Sequence, residues 1–300
     1  MINLDVLCVG ASSFDLTFTV PTHPTPDEKM FADALWACGG GPAANAAVVV
    51  ARLAGTAAYA GYLGADIFGD QHLAELTADR VVTDFIVRGS PATPLSVILA
   101  KPGGERVLVN YRASAPLPAD SIDFAPVRAK VLLFDGHEPE LSLTALPQAK
   151  IHGSQTVLDA GSVHRGTLAL ADQVDYLVCS EKFALEFTGK TGVEAALPKL
   201  VEANPNVVIT LGAKGVLWQT SLSQGRLPAY PVNAIDTTGA GDAFHGAFAL
   251  CLAQDQAWME TLKFSSAVAA LTCTKLGART GLPNRETVVT FLASFAENFE

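Results

Sequence analysis

Leu4-Asp5-Val6-Leu7-Cys8-Val9-Gly10 is a short, mostly apolar run stopped by glycine, and similar runs recur at Val131–Phe134, Thr156–Leu158, Tyr176–Val178 and Val207–Thr210. Runs of this length bounded by turn formers suit strands covered on both faces. The stretches between them read as helices. Pro42 to Ala54 is almost wholly apolar, with proline in its first turn and Gly55 just past its end, the start and stop signals of a buried helix. Phe244, Phe248 and Leu252 recur at four-residue intervals, as do Trp258 and Leu262, so the C-terminal third reads as largely helical. Strand and helix in alternation predict an α/β fold with a mainly parallel central sheet.

Two segments break the alternation, residues 13–35 and 93–112. In the second, Leu95–Leu99 and Arg106–Asn110 flank Pro102-Gly103-Gly104, the pattern of a hairpin with a tight turn. Both segments are read as a small β lid inserted into a core formed by residues 1–12, 36–92 and 113–300; the competing reading makes them edge strands of the main sheet. The sequence has no 20–50-residue repeat, low-complexity tract or charged tail.

Composition narrows the function. A chain of 300 residues buries about 75% of the surface it would expose unfolded, enough for a full core without metals or disulfides. With 49% hydrophobic and 17% charged residues it lies outside the disordered and collagen-like classes. A formal charge of −10 repels phosphate polymers and anionic lipid, so neither nucleic acid nor membrane is expected as a partner. The 5 cysteines are odd in number and scattered, without a C-x-x-C pair, which argues for reduced core thiols. The start, Met1-Ile2-Asn3-Leu4-Asp5, lacks the basic residues of a signal peptide, and no apolar stretch has bilayer-spanning length; a cytoplasmic protein is expected.

Two glycine-rich clusters carry the chemistry. Asp236-Thr237-Thr238-Gly239-Ala240-Gly241-Asp242 opens directly into the Phe244 helix. Small side chains at a helix N-terminus let main-chain N–H groups converge on an anion, helped by the helix dipole. A carboxylate there repels a phosphate unless it has a task, and accepting the proton of an attacking hydroxyl is such a task for Asp242. A plain helix cap followed by a first-turn acid would need one residue, not three small ones between two acids. In the second cluster, Gly39-Gly40-Gly41-Pro42-Ala43-Ala44-Asn45, Asn45 is the single polar side chain from Pro42 to Ala51. A buried amide needs partners. Sugar hydroxyls would supply them, as would backbone groups, and Asp15 offers a second acceptor; a turn Asp at the surface is its bland alternative.

These motifs resemble the ribokinase or PfkB family of carbohydrate kinases, from the first strand to the last helices. The resemblance is carried by D-T-x-G-A-G-D at Asp236–Asp242, with Phe244 and Gly246, and by the glycine cluster at Gly39–Asn45. It implies a ribokinase-like three-layer core with a β lid, and an ATP-dependent kinase of a sugar or similar alcohol. By that resemblance Asp242 is the base, and the backbone of Gly239, Ala240 and Gly241 is the anion hole. Asp15, Gly40, Gly41 and Asn45 hold the sugar, and the Thr210-Leu211-Gly212-Ala213-Lys214-Gly215 turn assigns Thr210, Gly212 and Gly215 to ATP. Mg²⁺ is expected with the nucleotide. A monovalent cation such as K⁺ falls near Asp236 and Thr238, through main-chain carbonyls.

Many members carry an N-x-x-E pattern before a Leu-Thr-Gly helix end. Here the matching stretch is Ser180-Glu181-Lys182-Phe183 ahead of Phe187-Thr188-Gly189, which leaves Glu181 as the nearest substitute and no named Mg²⁺ ligand. That departure, with Glu105–Tyr111, His245, Cys273-Thr274-Lys275, Arg279 and Gly281, is similar to the ketohexokinase-like and sulfofructose kinase branch. It implies a ketohexose acceptor, with Lys29 and Asn110 contributing from the lid. Asp135-Gly136-His137 stands where a sulfonate site would want arginine, which weighs against the sulfonated substrate. The rivals are a nucleoside kinase of the same fold, with Phe14, Phe18 and Phe31 as a base-stacking pocket, and a catalytically silent sensor of sugar or nucleotide. The apolar lid strands suggest a homodimer through the lid. Gly189-Lys190-Thr191 imitates the end of a Walker A loop but lacks its first glycine, Ala184 standing there. The single Gly10 excludes a dinucleotide fingerprint.

Overall fold

The computed structural model describes residues 2–101 and 105–296, so the Pro102-Gly103-Gly104 turn lies outside the described residues. The chain enters through β1 (Ile2–Val9), leaves for β2 (Ser13–Thr19) and β3 (Ala34–Gly40), and returns in α1 (Pro42–Arg52), β4 (Ala57–Gly64), α2 (Ile67–Ala78) and β5 (Val82–Gly89). It departs again for β6 (Leu95–Ala100) and β7 (Arg106–Tyr111) before β8 (Val127–Phe134), α3 (Pro139–His152), β9 (Gln155–Ala160), α4 (Arg165–Leu170) and β10 (Tyr176–Ser180). Next come α5 (Glu181–Thr188), α6 (Val193–Ala203), β11 (Val207–Thr210), β12 (Val216–Gln219) and β13 (Gln224–Leu227). The chain closes with α7 (Ala240–Ala253), α8 (Trp258–Thr272) and α9 (Arg285–Ala296).

Among the described residues the main sheet has nine strands in the order β13-β12-β11-β10-β9-β8-β1-β4-β5. Every pairing from β5 to β11 is parallel, and β12 and β13 extend that edge antiparallel. Side chains alternate faces along each strand. Val6 and Cys8, Val131 and Leu133, Val178 and Val208 enter one core under α1, α7 and α8. Leu7 and Val9, Leu132 and Phe134, Leu177 and Ile209 enter the other under α3, α5 and α6. Helices on both faces make the three-layer α/β arrangement expected from the alternation.

The lid is a four-stranded sheet, β3-β2-β6-β7, separate from the main one. The hairpin expected over residues 93–112 is β6 paired antiparallel with β7. One boundary moves: Ala34–Gly40 pairs along β2, so the lid continues past residue 35 to the glycine cluster itself. Ala-Leu-Trp-Ala-Cys at 34–38 has no apolar-polar alternation, because its outer residues Leu35 and Trp36 are exposed and its end is covered by α2.

Two junctions place the site. Gly41 caps α1 at φ 92°, and a Cβ there would lie 2.4 Å from the Ser12 Cα, so glycine alone lets β3 turn into α1 against the end of β1. The Asp135 carboxylate accepts from the amides of Ala11, Ala43 and His137 at 2.7, 3.2 and 2.8 Å, fastening the ends of β1 and β8 to the first turn of α1. Helix α7 is buried from Ala243 to Ala253 and lies so close to α1 that a Cβ on Gly246 would be 2.7 Å from the Ala46 oxygen.

Candidate active site

Ligands of parallel α/β sheets bind beyond the carboxyl ends of the strands. At that edge the glycine turn Asp236–Gly239 opens α7. The Asp236 carboxylate shapes the turn: one oxygen accepts from the Thr238 amide and hydroxyl at 2.9 and 2.6 Å, the other from the Gly277 amide at 2.8 Å. Gly239 is left-handed at φ 77° as the N-cap of α7, with Ala278 3.0 Å from where its Cβ would be. Among the described residues the amides of Gly239 and Gly241 hold no main-chain partner, whereas that of Ala240 reaches the Thr237 oxygen at 3.3 Å. Of the three amides expected to form the anion hole, two are therefore open. Nothing stands within 4 Å of a Cβ on Gly241, so the space before the helix is clear.

Asp242 follows in the first turn and accepts from Asn45 Nδ2 at 2.7 Å. Burial pushes its carboxyl above the ordinary range, the Asn45 bond opposes that, and the nearby Asp15 and Asp135 carboxylates add to it. A carboxylate whose affinity for protons is raised is a better general base than a solvated one.

Asp15 faces this cluster from β2. It is buried and accepts from the Ser13 hydroxyl at 2.6 Å; burial pushes its carboxyl up. A Cβ on Gly40 would come within 2.2 Å of the Asp15 carboxylate, so Gly40 is the clearance that carboxylate requires. Strand register sets Cys38, Asp15, Ser96 and Asn110 in one row across β3, β2, β6 and β7. Paired residues share a face, so Asn110 looks the same way as Asp15. Lys29 lies exposed on the β2–β3 connection and makes no hydrogen bond or ion pair among the described residues; the structure does not bring it to the cluster.

Asn45 differs from the sequence-level picture. Both ends of its amide are engaged by protein: Nδ2 on Asp242, and Oδ1 accepting from Arg279 Nε at 3.1 Å. Each atom keeps one further bonding position for a ligand. Arg279 is 3% exposed and also donates to Glu75 at 3.0 Å and meets His72 Nε2 at 2.6 Å. The sequence connects Arg279 only with a family resemblance and gives no sign that its side chain is buried beside Asn45.

Arg106 was also missed as a site residue. From the lid strand β7 it bonds the Thr238 hydroxyl and lies 3.5 Å from Asp236, latching the lid onto the Asp236–Gly239 turn. His245 is buried behind the turn, with Nδ1 2.6 Å from the Gly241 oxygen and Nε2 3.2 Å from the Val178 oxygen. Burial lowers it to about 4, so it is neutral at physiological pH and packs from α7 against the end of β10.

The nucleotide expectation falls on the edge of β11. Thr210 ends that strand and donates to the Cys179 oxygen at 3.3 Å; Gly212, at φ 57°, opens a single 3₁₀ turn to Lys214 with no atom within 4 Å of its Cβ position. Gly215, at φ 89°, is required for packing, a Cβ there falling 1.9 Å from the Leu227 oxygen. Glu181, in the first turn of α5, lies 3.4 Å from Lys214, which brings the substitute acid to this turn. Phe14 and Phe18 occupy the alternate positions of β2, on the face opposite Asp15. Phe14 packs on Phe68 and Phe31 is 97% exposed, so the three do not form a stacking pocket beside Asp15.

Comparison with known proteins agrees with this geometry. The profile described as pfkB family carbohydrate kinase matches residues 3–285. Fructokinase-1 of Oryza sativa subsp. japonica is 31% identical over 290 residues, 85% of this chain and 88% of that one. The crystal structure of ribokinase from Thermotoga maritima superposes with a TM-score of 0.85 at 30% identity, over 97% of this chain and 99% of the other. That of fructokinase with bound ATP from Xylella fastidiosa gives 0.81 at 26% identity, over 97% and 98%.

Proposed function

The chain belongs to the pfkB family of carbohydrate kinases and is an ATP-dependent phosphotransferase acting on a small sugar; from that premise we propose that the acceptor is a primary hydroxyl of a ketohexose, with Asp242 as the general base. The observation that carries the reading is the Asp242 carboxylate held by Asn45 beside the open amides of Gly239 and Gly241, with the buried Asp15 facing it from the lid. A hydroxyl seated between Asp15, Asn45 and Asp242 delivers its proton to Asp242 as its oxygen attacks the terminal phosphorus in line and the bond from that phosphorus to the bridging oxygen breaks, releasing ADP. The Gly239 and Gly241 amides stabilise the charge that grows on the transferred group, with the positive end of α7 behind them. No covalent intermediate on the protein is required. Arg106 holds the lid down over the reacting groups, which excludes water as a competing acceptor.

ATP is assigned to Thr210, Gly212 and Gly215. Among the described residues no group of three or more His, Cys, Asp or Glu side chains is arranged to hold a metal ion. Mg²⁺ would come with the nucleotide's phosphates and neutralise their charge, with Glu181 as the nearest acid to the Gly212–Lys214 turn. Asp236 uses both carboxylate oxygens on its own turn, so a monovalent cation such as K⁺ would have the main-chain oxygens of Asp236 and Thr238. No helix among the described residues is long and apolar enough to cross a membrane. The lid face opposite Asp15 exposes Leu35 (55%) on one outer strand and Val107 (43%) and Val109 (62%) on the other, and a second copy of the chain is the proposed cover.

The test is ADP release from ATP with fructose, sulfofructose, ribose and adenosine offered separately. Preference for fructose supports the reading, sulfofructose preference would extend it to the sulfonated branch, and ribose or adenosine preference would refute the ketohexose assignment. Substituting Val109→Glu should turn a dimer into monomers by light scattering; a wild-type chain that is already monomeric refutes the lid interface.

A further inference from the structure

We propose that Arg279 is a positioning residue for the base, fixing from behind Asn45 which end of that amide faces Asp242; the proposal rests on the reading of Asp242 as proton acceptor. Asn45 can present either a donor or an acceptor, and the two orientations nearly coincide in shape. Asp242, when ionised, only accepts, and an arginine only donates. With Arg279 Nε 3.1 Å from Oδ1 and the Asp242 carboxylate 2.7 Å from Nδ2, the amide lies between a fixed donor and a fixed acceptor and has one satisfactory orientation.

Arg279 is itself held on three sides. Nη1 donates to Glu75 at 3.0 Å, Nη2 to His72 Nε2 at 2.6 Å, and its main-chain oxygen accepts from Arg52 at 2.6 Å. Burial and the Arg279 charge hold His72 neutral, so Nε2 accepts and the proton is on Nδ1, which is buried with no partner among the described residues. A buried donor without a partner is a local cost, and it is accepted where it keeps the guanidinium in place. Glu75 also accepts from the Gly39 amide at 2.8 Å, at the root of β3. One guanidinium thus joins the lid root, α2 and the amide that touches the base.

The ionised state of Asp242 needs that amide. Acidic groups face it from every side: Asp15 from β2, Asp135 from the turn after β8 and Asp159 from the end of β9, the last beside the neutral His245. Among the described residues Asn45 gives it the one side-chain hydrogen bond that favours the charge. If the amide is free to turn, that bond weakens and protonation of Asp242 begins at higher pH.

The experiment compares wild type, Arg279→Met and Glu75→Gln by steady-state kinetics across pH, and by ¹³C NMR titration of protein labelled at the aspartate carboxyl carbons. Asp242→Asn identifies the Asp242 signal. Arg279→Met should lower kcat by about 10²-fold, the scale of a misplaced reacting group, with KM for ATP nearly unchanged. The acidic limb of kcat/KM and the Asp242 carboxyl titration should both move to higher pH. Glu75→Gln, which leaves an acceptor for Arg279 but no charge, should move both in the same direction by less. A loss of kcat with the limb and the titration unmoved makes Arg279 a fold staple and overturns the proposal. Should Arg279→Met fail to fold, an unmoved titration in Glu75→Gln overturns it equally. If wild type phosphorylates no acceptor, the functional reading fails on its own, and the carboxyl titration still decides whether Arg279 controls Asp242.

Discussion

Replacing Asp242 by Asn separates chemistry from folding, because the structure predicts opposite signs for the two. The amide is the same size and can turn its oxygen to the Asn45 Nδ2 that now lies 2.7 Å from the carboxylate, so the ground-state contact survives. What is lost is the proton acceptor. A positioned general base contributes about 10²–10⁴ in rate, which is about 2.7–5.5 kcal/mol of barrier. Stability should move the other way. Burial and the Asp15 and Asp135 carboxylates raise the Asp242 carboxyl above its unfolded value. The native chain therefore binds more protons at this site than the unfolded chain, and its stability falls as pH rises from the unfolded value through the folded one. Asn has no such dependence, so the variant should melt at or above the wild-type temperature at pH 7. The assay is ADP release at saturating ATP and sugar, paired with thermal melts and with ATP affinity measured by equilibrium titration. The expected result is a fall in kcat of about 10²–10⁴-fold, ATP affinity retained and no loss of melting temperature. Turnover within about tenfold of wild type would refute Asp242 as the base. A large drop in melting temperature would refute the account of its surroundings.

Other outcomes follow from the same geometry. Gly40→Ala puts a methyl group where only 2.2 Å separates it from the Asp15 carboxylate; KM for the sugar should rise about tenfold or more while KM for ATP stays, and equal effects on both would contradict the assignment of Asp15 to the sugar. Arg106→Ala removes the latch to Thr238; the ratio of ATP hydrolysis to sugar phosphorylation should rise, and an unchanged ratio would show that the latch does not exclude water. Because burial depresses His245 to about 4 against an ordinary 6.5, stability should be lost as pH falls from about 6.5 towards 4, by up to about 3 kcal/mol, and His245→Gln should flatten that part of the stability–pH curve. Denaturant titrations at pH 4.5 and 7 measure it; parallel curves for the two proteins would overturn the assignment.

The parts of the fold that announced themselves were those whose residues carry a periodicity of their own. β1 and β8 to β11 are covered on both faces by helices, so their valines and leucines appear as uninterrupted runs. β4, equally buried, was not read from the sequence: Ala57–Gly64 is mostly alanine and glycine, because neighbours approach it too closely for larger side chains. A Cβ on Gly61 would stand 2.4 Å from the Gly10 oxygen, and one on Gly64 2.4 Å from the Thr93 nitrogen. The core of the site was legible for a related reason, since both helix starts are written in small residues around one acid or one amide. What sequence could not supply was partnership. Asn45 stood out as a polar residue in an apolar helix, but that it bridges Asp242 and Arg279 depends on residues 197 and 234 positions away. Asp135 was read only as standing where a sulfonate site would want arginine, and Arg106 as a strand residue; the packed chain shows one saturated by three amides and the other reaching across to the α7 turn.

Helix α7 has no wet side from Ala243 onward, and Gly246 locks it against α1 without the width of a methyl group between them. Such a rod cannot slide or tilt to suit a new acceptor without reopening the interior, so the end proposed to handle the phosphate is fixed and adaptation must occur in the other wall. That wall is the half-exposed β sheet bearing Asp15 and Asn110, whose outer strand can exchange residues at little cost to the rest of the molecule. A search for variants with altered sugar preference is therefore best confined to β2, β6 and β7, with the rod left untouched.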